Sequence, residues 1–423
     1  MAQAVLKKYQ PLIVGITGSV GKSSAKEAVA LALGVAYIVR KTEGNYNNEI
    51  GIPLTVIGAK SGGSSLVRWL RVFGKWLWIM IVPVRYPEVL VLEMGIDHPG
   101  DMDALLQFVP VKMGIVTGVS SSHLVYFGSL AIIAREKGKL IAAVPDDGLA
   151  IINADDQRTL KMRERTKAKV ITYGFSDGAD IHADNFVMHR EAKRAEGLSL
   201  KVNFEGTTVP LRLPKIVAPH HVPAALAALA LAVGLKMNAV EVVNALENFE
   251  PLPGRLRLLP GRDNTFLLDD TYNASPTSTK AALQVMSELM APRKIAVLGD
   301  MLELGPDTKE EHAELSKTIR ESGVHVVVTV GEHMRALHER LLSEGWPRKQ
   351  VLWLPDPVSA VDALMNIIRS DDLLLIKGSQ GMRMELITKQ LLVDPRTATS
   401  FLCRQSEDWQ KKPFTPPVEW TEN

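Results

Sequence analysis

GITGSVGKSSAKE, Gly15 to Glu27, rises out of the apolar run LIVGIT and leads into an alanine-rich segment. The order is strand, glycine-rich turn, lysine, two serines, helix. Backbone N–H groups in such a turn, backed by a helix N-terminus, form a cradle for an anion. Lys22 can reach the terminal phosphates of a nucleotide, and the Ser23 hydroxyl can ligate magnesium. The strict pattern G-x-x-x-x-G-K-[ST] fails because Ile16 stands at the first glycine position. The variant T-G-x-x-G-K-S is met by Thr17, Gly18, Ser19, Val20, Gly21, Lys22 and Ser23, with Ser24 behind it. A chance glycine turn is the competing reading, and lysine then serine between a strand and a helix makes it the weaker one.

Around this loop, short Val/Ile/Leu-rich runs alternate with longer segments of helical period. The runs are LIVGIT, EVLVLEMG, MGIVTGV, LAIIN and KVITYG, then TFLLDD, KIAVLGD, VHVVVTVG and DLLLIKGS. Buried strands alternating with helices predict mostly parallel sheets in an α/β fold. The Pro- and Gly-rich ENFEPLPGRLRLLPG follows a helical APHHVPAALAALALAVG, and a domain boundary is expected near Pro253. Residues 401–423 carry little apolar pattern and are expected to be a loose tail.

Bulk composition narrows the class. A chain of 423 residues predicts two or three domains, and 46% hydrophobic with 23% charged residues is typical of a soluble globular protein. A formal charge of +2 gives no global attraction to nucleic acid. Cys403 is the one cysteine, so no intramolecular disulfide forms, and no Cys/His cluster has zinc spacing. The start, MAQAVLKKYQPLIVG, lacks the apolar core and cleavage site of a signal peptide, so a cytoplasmic protein is expected. LVRWLRVFGKWLWIMIVPV (Leu66–Val84) is nearly long enough to span a bilayer. Arg68, Arg71 and Lys75 fall on one helical face, however, which favours an amphipathic helix within about 64–84. It either packs on the domain surface, the favoured reading, or rests on the cytoplasmic leaflet with its tryptophans at the interface.

A nucleotide site needs an acidic metal ligand at a neighbouring strand end. Glu93 directly follows the run in VLVLEMGIDHPGDM and is the best candidate, while Asp97 and Asp101 read as loop-forming and solvated. His123 lies just beyond MGIVTGV; spacing alone favours a structural or surface role for a lone histidine. Asp269 and Asp270 end TFLLDD and point to opposite faces of a strand. One can reach a site while the other fixes a turn, and a simple strand-end capping turn fits as well. Tyr272 and Asn273 extend this polar cluster, and Pro276 with Ser278 marks a helix start.

Taken together, the chain resembles the ATP-dependent Mur ligases, closest to their D-alanyl-D-alanine-adding branch. The stretches are ITGSVGKSSAKE, TEGNYNNEIGIPLT, LEMGIDHPGDM, SSHLVYFGSLAIIAREKGKL, PGRLRLLPG, DDTYNASPTS, VLGDMLELG and LIKGSQGMRME, running from residue 13 to about residue 385. The resemblance implies a central P-loop ATPase domain, residues 1–252, and a C-terminal Rossmann-like domain, residues 253–400, closing over ATP, magnesium and the reactants. A carboxylate of a peptidoglycan precursor peptide would attack the γ-phosphate, and the amine of D-Ala-D-Ala would displace phosphate from the acyl phosphate. It implies phosphate binding by Lys22 and the Gly18–Ser23 backbone. Ser23 and Glu93 would hold one magnesium and His123 would lie near a second. Lys137 falls where the family carries a carbamylated lysine; without the resemblance it reads as a solvated surface residue. Asn153, with Asp155 and Asp156, would lie near the nucleotide, and Arg255 and Asp270 would meet phosphate and ribose. Asn45, Tyr46 and Asn47 would face the peptide-bearing substrate, and Asn273, Glu303 and Lys377 the amine substrate or the hinge.

There are departures from the family. The lysine-threonine pair is Lys22-Ser23 here, the H-N-x-x-N helix reads HHVPA with Ala224 at the second asparagine, and Ser275 replaces an asparagine in DDTYNASP. Base recognition is therefore expected to differ. Only about a dozen residues precede the phosphate loop, where the family places a UDP-binding domain. The usual grip on a UDP-linked substrate is expected to be lacking, with the 66–84 segment compensating by contact with a partner, a membrane or a differently carried substrate. The leading expectation is a monomeric ligase adding D-Ala-D-Ala. A ligase for a lipid-linked or other acceptor, or adding another amino acid, is the second. A non-catalytic ATP-binding scaffold is the third, disfavoured because it needs no set such as Lys22, Ser23, Glu93, His123, Lys137 and Asp270.

Overall fold

The computed structural model describes residues 1–44, 46–120, 124–191, 194–412 and 414. The chain divides into two compact units. The first comprises Met1–Val187, Leu198–Pro214 and Pro219–Phe249, and the second takes Met188–Gly197, Lys215–Ala218 and everything from Glu250 onward. The main change of unit thus falls at 249/250, close to the expected break at Pro253. Two short excursions, at 188–197 and 215–218, also belong to the second unit, and a single cut in the sequence cannot express them.

The first unit is built on a nine-stranded sheet of order β2-β3-β1-β4-β5-β6-β7-β8-β9. Its parallel part comprises β1 (Leu12–Thr17), β2 (Val39–Lys41), β3 (Val89–Glu93), β4 (Met113–Val116), β5 (Leu149–Asn153) and β6 (Lys169–Gly174). All five apolar runs expected in this half are strands, and the buried ones are apolar on both faces because helices cover both. β7 (Ile181–Glu191), β8 (Arg194–Phe204) and β9 (Thr207–Leu213) extend the sheet, with β8 and β9 antiparallel. β1 lies between β3 and β4, with Ile16 opposite Glu93 and Thr17 opposite Val116. The chain leaves β1 toward one neighbour and later returns to the other. The turn after β1 is therefore a switch point, where open α/β sheets bind ligands.

Helices α1 (Ala2–Tyr9), α2 (Lys22–Leu33), α3 (Gly51–Ile57), α4 (Leu66–Ile81), α5 (Asp101–Leu106), α6 (Leu124–Phe127), α7 (Leu130–Ala142), α8 (Gln157–Leu160) and α9 (Val222–Gly234) cover it. α9 is buried along nearly its whole length, Val222 to Ala232, and its alanines let it pack closely along α2 and against β5 and β6. α4 is the expected insertion helix, and no described helix is long and apolar enough to cross a membrane. It rests on α1 and α3 through Val72 and Ile79, its two buried residues. Most of its other apolar side chains face outward.

The second unit carries a six-stranded sheet, β10-β11-β15-β12-β13-β14. Its strands are β10 (Arg257–Pro260), β11 (Phe266–Asp270), β12 (Arg293–Gly299), β13 (Val326–Val330), β14 (Val351–Leu354) and β15 (Asp372–Lys377). Only the β10–β11 pair is antiparallel; the remainder is a Rossmann-like parallel sheet. Asp270 and Lys377 are direct partners on adjacent strands. The helix expected at Pro276 begins there, with Ser275 and Ser278 forming a reciprocal capping box.

The loose tail expected from residue 401 is corrected for residues 401–412. Leu402 is 4% exposed and belongs to the core of this unit. Arg404 donates to Glu385 at 3.1 Å and to the Thr271 carbonyl at 3.0 Å, and Arg383 donates to the same Glu385 at 2.5 Å. Trp409 lies over Arg383. One buried carboxylate holding two buried guanidinium groups anchors a segment whose apolar content is too sparse to announce it. Removing one partner of such a cluster leaves uncompensated buried charge, which costs about 3–5 kcal/mol. Glu385→Gln is therefore expected to lower unfolding free energy by about that amount, measured by urea denaturation of the second unit's transition.

Candidate active site

The loop between β1 and α2 is shaped by two glycines with left-handed backbone, Gly18 (φ 153) and Gly21 (φ 80). A Cβ at Gly18 would lie 2.0 Å from Thr117 Oγ1, so no larger residue fits. Thr117, just past β4, locks the turn by donating to the Val20 carbonyl at 2.5 Å, while Ser19 N donates to Gly118 O at 2.7 Å. Gly21 caps α2 without a side-chain acceptor, and the first turn of α2 has no acidic residue. Its leading N–H groups and the positive helix end are thus arranged for an anionic ligand.

Two lysines meet at this loop. Lys22 Nζ donates to the Gly18 carbonyl at 2.7 Å, and Lys137 Nζ, from α7, donates to the same oxygen at 3.0 Å. Gly15 makes this approach possible: a Cβ there would lie 2.8 Å from Leu140 Cδ1, so α7 packs directly on the β1 backbone. Lys137 is 3% exposed. Burial, followed by the charge of Lys22, pushes its ammonium down to about 7, against the smaller opposing pull of Asp97 and Glu136. At neutral pH a large share of Lys137 is therefore a neutral amine, the form that adds to carbon dioxide. This corrects the view of Lys137 as a solvated surface lysine that the residues alone gave.

Glu93, at the end of β3, is 3% exposed. Its Oε1 accepts from Asn47 Nδ2 at 3.3 Å; its Oε2 has no hydrogen-bond partner and faces the buried Lys26 ammonium at 3.4 Å. Such a half-satisfied carboxylate suits a hard cation. No cluster of three or more His, Cys, Asp or Glu side chains with metal geometry occurs among the described residues. Asn153 donates to the Thr117 carbonyl at 2.7 Å, and Asp156 accepts Val119 N at 2.7 Å. Asp155 accepts the Phe175 and Ser176 N–H groups. These three residues brace the loops behind the phosphate turn. Asp101 accepts the N–H groups of Asp97 and His98, the expected loop-forming role.

Tyr46 Oη accepts Ser61 N at 2.8 Å, which ties its ring to the segment before α4. Asn45 and His123 lie outside the described residues. In the second unit, Asp270 and Asp269 divide as strand alternation requires. Asp270 accepts Lys377 Nζ at 2.6 Å and Leu256 N at 3.2 Å, and Lys377 also donates to the Asn273 carbonyl. Asp269 is fully buried, accepts from Gly254 N, Thr271 and Thr388, and is pushed up to about 7 by burial. It fixes the turn at 254. Arg255 stacks on Tyr272 at 4.3 Å, and Glu303 is exposed with left-handed backbone. Lys26 and Thr117 went unnoticed in the sequence. Lys26 had a signal: it falls four residues after Lys22 on the inward face of α2, beside Ala25 and Val29.

A phosphate loop at a sheet switch point, with a buried acidic strand end, defines a nucleotide-using enzyme. The family model of the Mur ligase middle domain matches residues 80–232, and that of the Mur ligase glutamate ligase domain matches residues 254–380. The chain belongs to the Mur ligase family and is an ATP-dependent peptide ligase. Within that family it is similar to UDP-N-acetylmuramoyl-tripeptide–D-alanyl-D-alanine ligases. That of Bacillus subtilis (strain 168) is 28% identical, over 93% of this chain and 79% of the relative. That of Escherichia coli (strain K12) is 29% identical, over 92% of this chain and 79% of the relative. The crystal structure of MurF from Acinetobacter baumannii superposes with a TM-score of 0.76 at 25% identity, covering 92% of this chain and 78% of that one. MurF from Thermotoga maritima in complex with ADP shares the fold, with a TM-score of 0.72 at 24% identity, covering 92% and 81%.

The lowered Lys137 predicts a pH signature. The unfolded chain keeps the ordinary lysine value of 10.5, so between about pH 7 and 10.5 the unfolded state binds the extra proton and stability rises with pH. Lys137→Met should flatten that rise, as read from denaturation midpoints in carbon dioxide-free buffer.

Proposed function

We propose that this chain joins D-alanyl-D-alanine to the free carboxylate of a peptidoglycan precursor peptide, using ATP and magnesium. The observation that carries the reading is the convergence of Lys22 and Lys137 on the Gly18 carbonyl, beside an uncapped helix N-terminus. In the first step a carboxylate oxygen attacks the γ-phosphorus and ADP leaves, giving an acyl phosphate. In the second, the amine attacks the acyl carbon, phosphate departs and the amine loses a proton. Both steps bring anions together, so the site must supply positive charge in place and keep water out. Lys22, the backbone of Thr17 to Ser23, and Ser24 serve the phosphates in this reading. Glu93 and Ser23 would hold magnesium, which withdraws charge from the phosphate oxygens when bound, and Asn47 orients Glu93.

Lys137 is assigned a carbamate. Its neutral amine forms an N–C bond to carbon dioxide and sheds a proton, turning a buried neutral group into an anion able to hold a second metal with His123. Asn153 is assigned to the nucleotide, Arg255 to phosphate and Asp270 to ribose. Asn45, Tyr46 and Asn47 are assigned to the peptide substrate, and Asn273 and Lys377 to the amine substrate. The enzyme is placed in the cytoplasm as a monomer.

Phosphate release from ATP is expected only with acceptor tripeptide and D-Ala-D-Ala together, with an amide product by mass spectrometry; release needing neither substrate would count against a ligase. UDP-linked and lipid-linked acceptors assayed side by side identify the carrier. Lys22→Ala should lower turnover by about 10²–10³-fold. Lys137→Ala should abolish turnover while the protein still binds ATP, and should lose the carbamate signal that isotope-labelled carbon dioxide gives in the parent.

A further inference from the structure

α4 is a helix that presents a second apolar face outward, beside the one it packs with. Val72 and Ile79 are its buried residues, yet Leu66, Leu70, Phe73, Leu77 and Ile81 recur at i, i+4, i+7, i+11 and i+15 on another face. These five and Trp78 are all exposed, from 43% at Leu77 to 75% at Leu66. The face is presented rigidly. Lys8 Nζ and Tyr9 Oη, on α1, donate to the Ile79 carbonyl at 2.9 and 2.6 Å, and Trp76 Nε1 donates to Met1 O at 3.2 Å. Lys75 turns inward to the Gly58 carbonyl. An ordinary surface helix reverses this pattern, and monomeric proteins rarely leave so contiguous an apolar stripe in water.

Charge says what covers it. Between Glu49 and Glu88 the chain has no acidic residue and five basic ones, Lys60, Arg68, Arg71, Lys75 and Arg85, although the whole chain carries only +2. Arg68 and Arg71 are exposed on the polar face of α4, about 180° and 120° round the helix from the middle of the stripe, the basic face opposite an apolar one that an interfacial helix presents. A second copy of this chain seated on the same stripe would cover the apolar side chains and leave the arginines unanswered, since neither α4 carries a carboxylate. An anionic lipid surface supplies both needs at once, acyl chains for the stripe and phosphates for the arginines. Three of the seven tryptophans fall at 69, 76 and 78, and tryptophan favours the membrane–water boundary. At 16 residues α4 is about 24 Å long, too short to cross and long enough to lie flat.

We propose that α4 seats the protein on an anionic membrane surface, with the Leu66–Ile81 stripe at the headgroup–acyl boundary and Arg68 and Arg71 on lipid phosphates. The inference stands on α4 alone and is independent of the ligase reading. The test is co-sedimentation of the full chain with phosphatidylcholine vesicles and with vesicles that also contain phosphatidylglycerol. Binding to the phosphatidylglycerol vesicles should be about tenfold tighter or more, weaken with salt, and shift tryptophan emission to the blue. Leu70→Glu with Leu77→Glu should abolish it, and Arg68→Gln with Arg71→Gln should remove the lipid preference, both leaving phosphate release in solution unchanged. Failure to bind phosphatidylglycerol vesicles, or equal binding by the Leu70/Leu77 variant, overturns the proposal. Dimerisation in sedimentation velocity that the same variant abolishes, without vesicle binding, assigns the face to a second copy instead.

Discussion

The Gly18 carbonyl receives two ammonium groups, and the first unit is arranged so that this can happen. Lys22 arrives from the same loop, and Lys137 from a helix more than a hundred residues later. Their convergence needs α7 to lie on bare backbone at Gly15 and needs the place of a Gly18 side chain to be taken by Thr117. Burial first, and then the charge of Lys22 at the same oxygen, bring Lys137 to give up its proton near neutrality. The same convergence prepares the loop for a ligand with several negative charges. Lys26 and Glu93 stand beside it as a buried pair of opposite sign.

Much of this was legible in the sequence because buried parallel strands are apolar on both faces and announce themselves as runs. Nine such runs became nine strands, and the TGSVGKS turn followed the first of them. The strands that escaped are of another kind. β8 alternates Leu198, Leu200 and Val202 with polar partners, so its apolar content is diluted by half. β2 is three residues long, and β10 and β14 are four each. The 401–412 segment escaped because it is tied down by Arg404, Glu385 and Arg383, and charged residues in sequence look like solvent. Lys137 looked like surface for the same reason. Burial of a charged side chain is decided by the partner it meets, which the sequence alone does not display.

The two aspartates ending β11 show how far alternation alone can go. Opposite orientation was dictated by the strand, but not which of the two would be enclosed. Asp269 points to Thr388 and the 254 turn and is sealed from water, whereas Asp270 points to Lys377. The former carries the geometry of the second unit and the latter keeps a charge pair at its strand ends.

α9 completes the first unit from far away in the chain. It is synthesised about two hundred residues after α2, the helix it packs along, and in between the chain makes two visits to the second unit. The alanine-rich flank of α2 therefore has no lasting cover until synthesis is more than half complete. Closing such a distant contact is entropically slow. A nascent chain of this protein has its phosphate loop written early and made firm late, a stretch of its life in which a chaperone would find it.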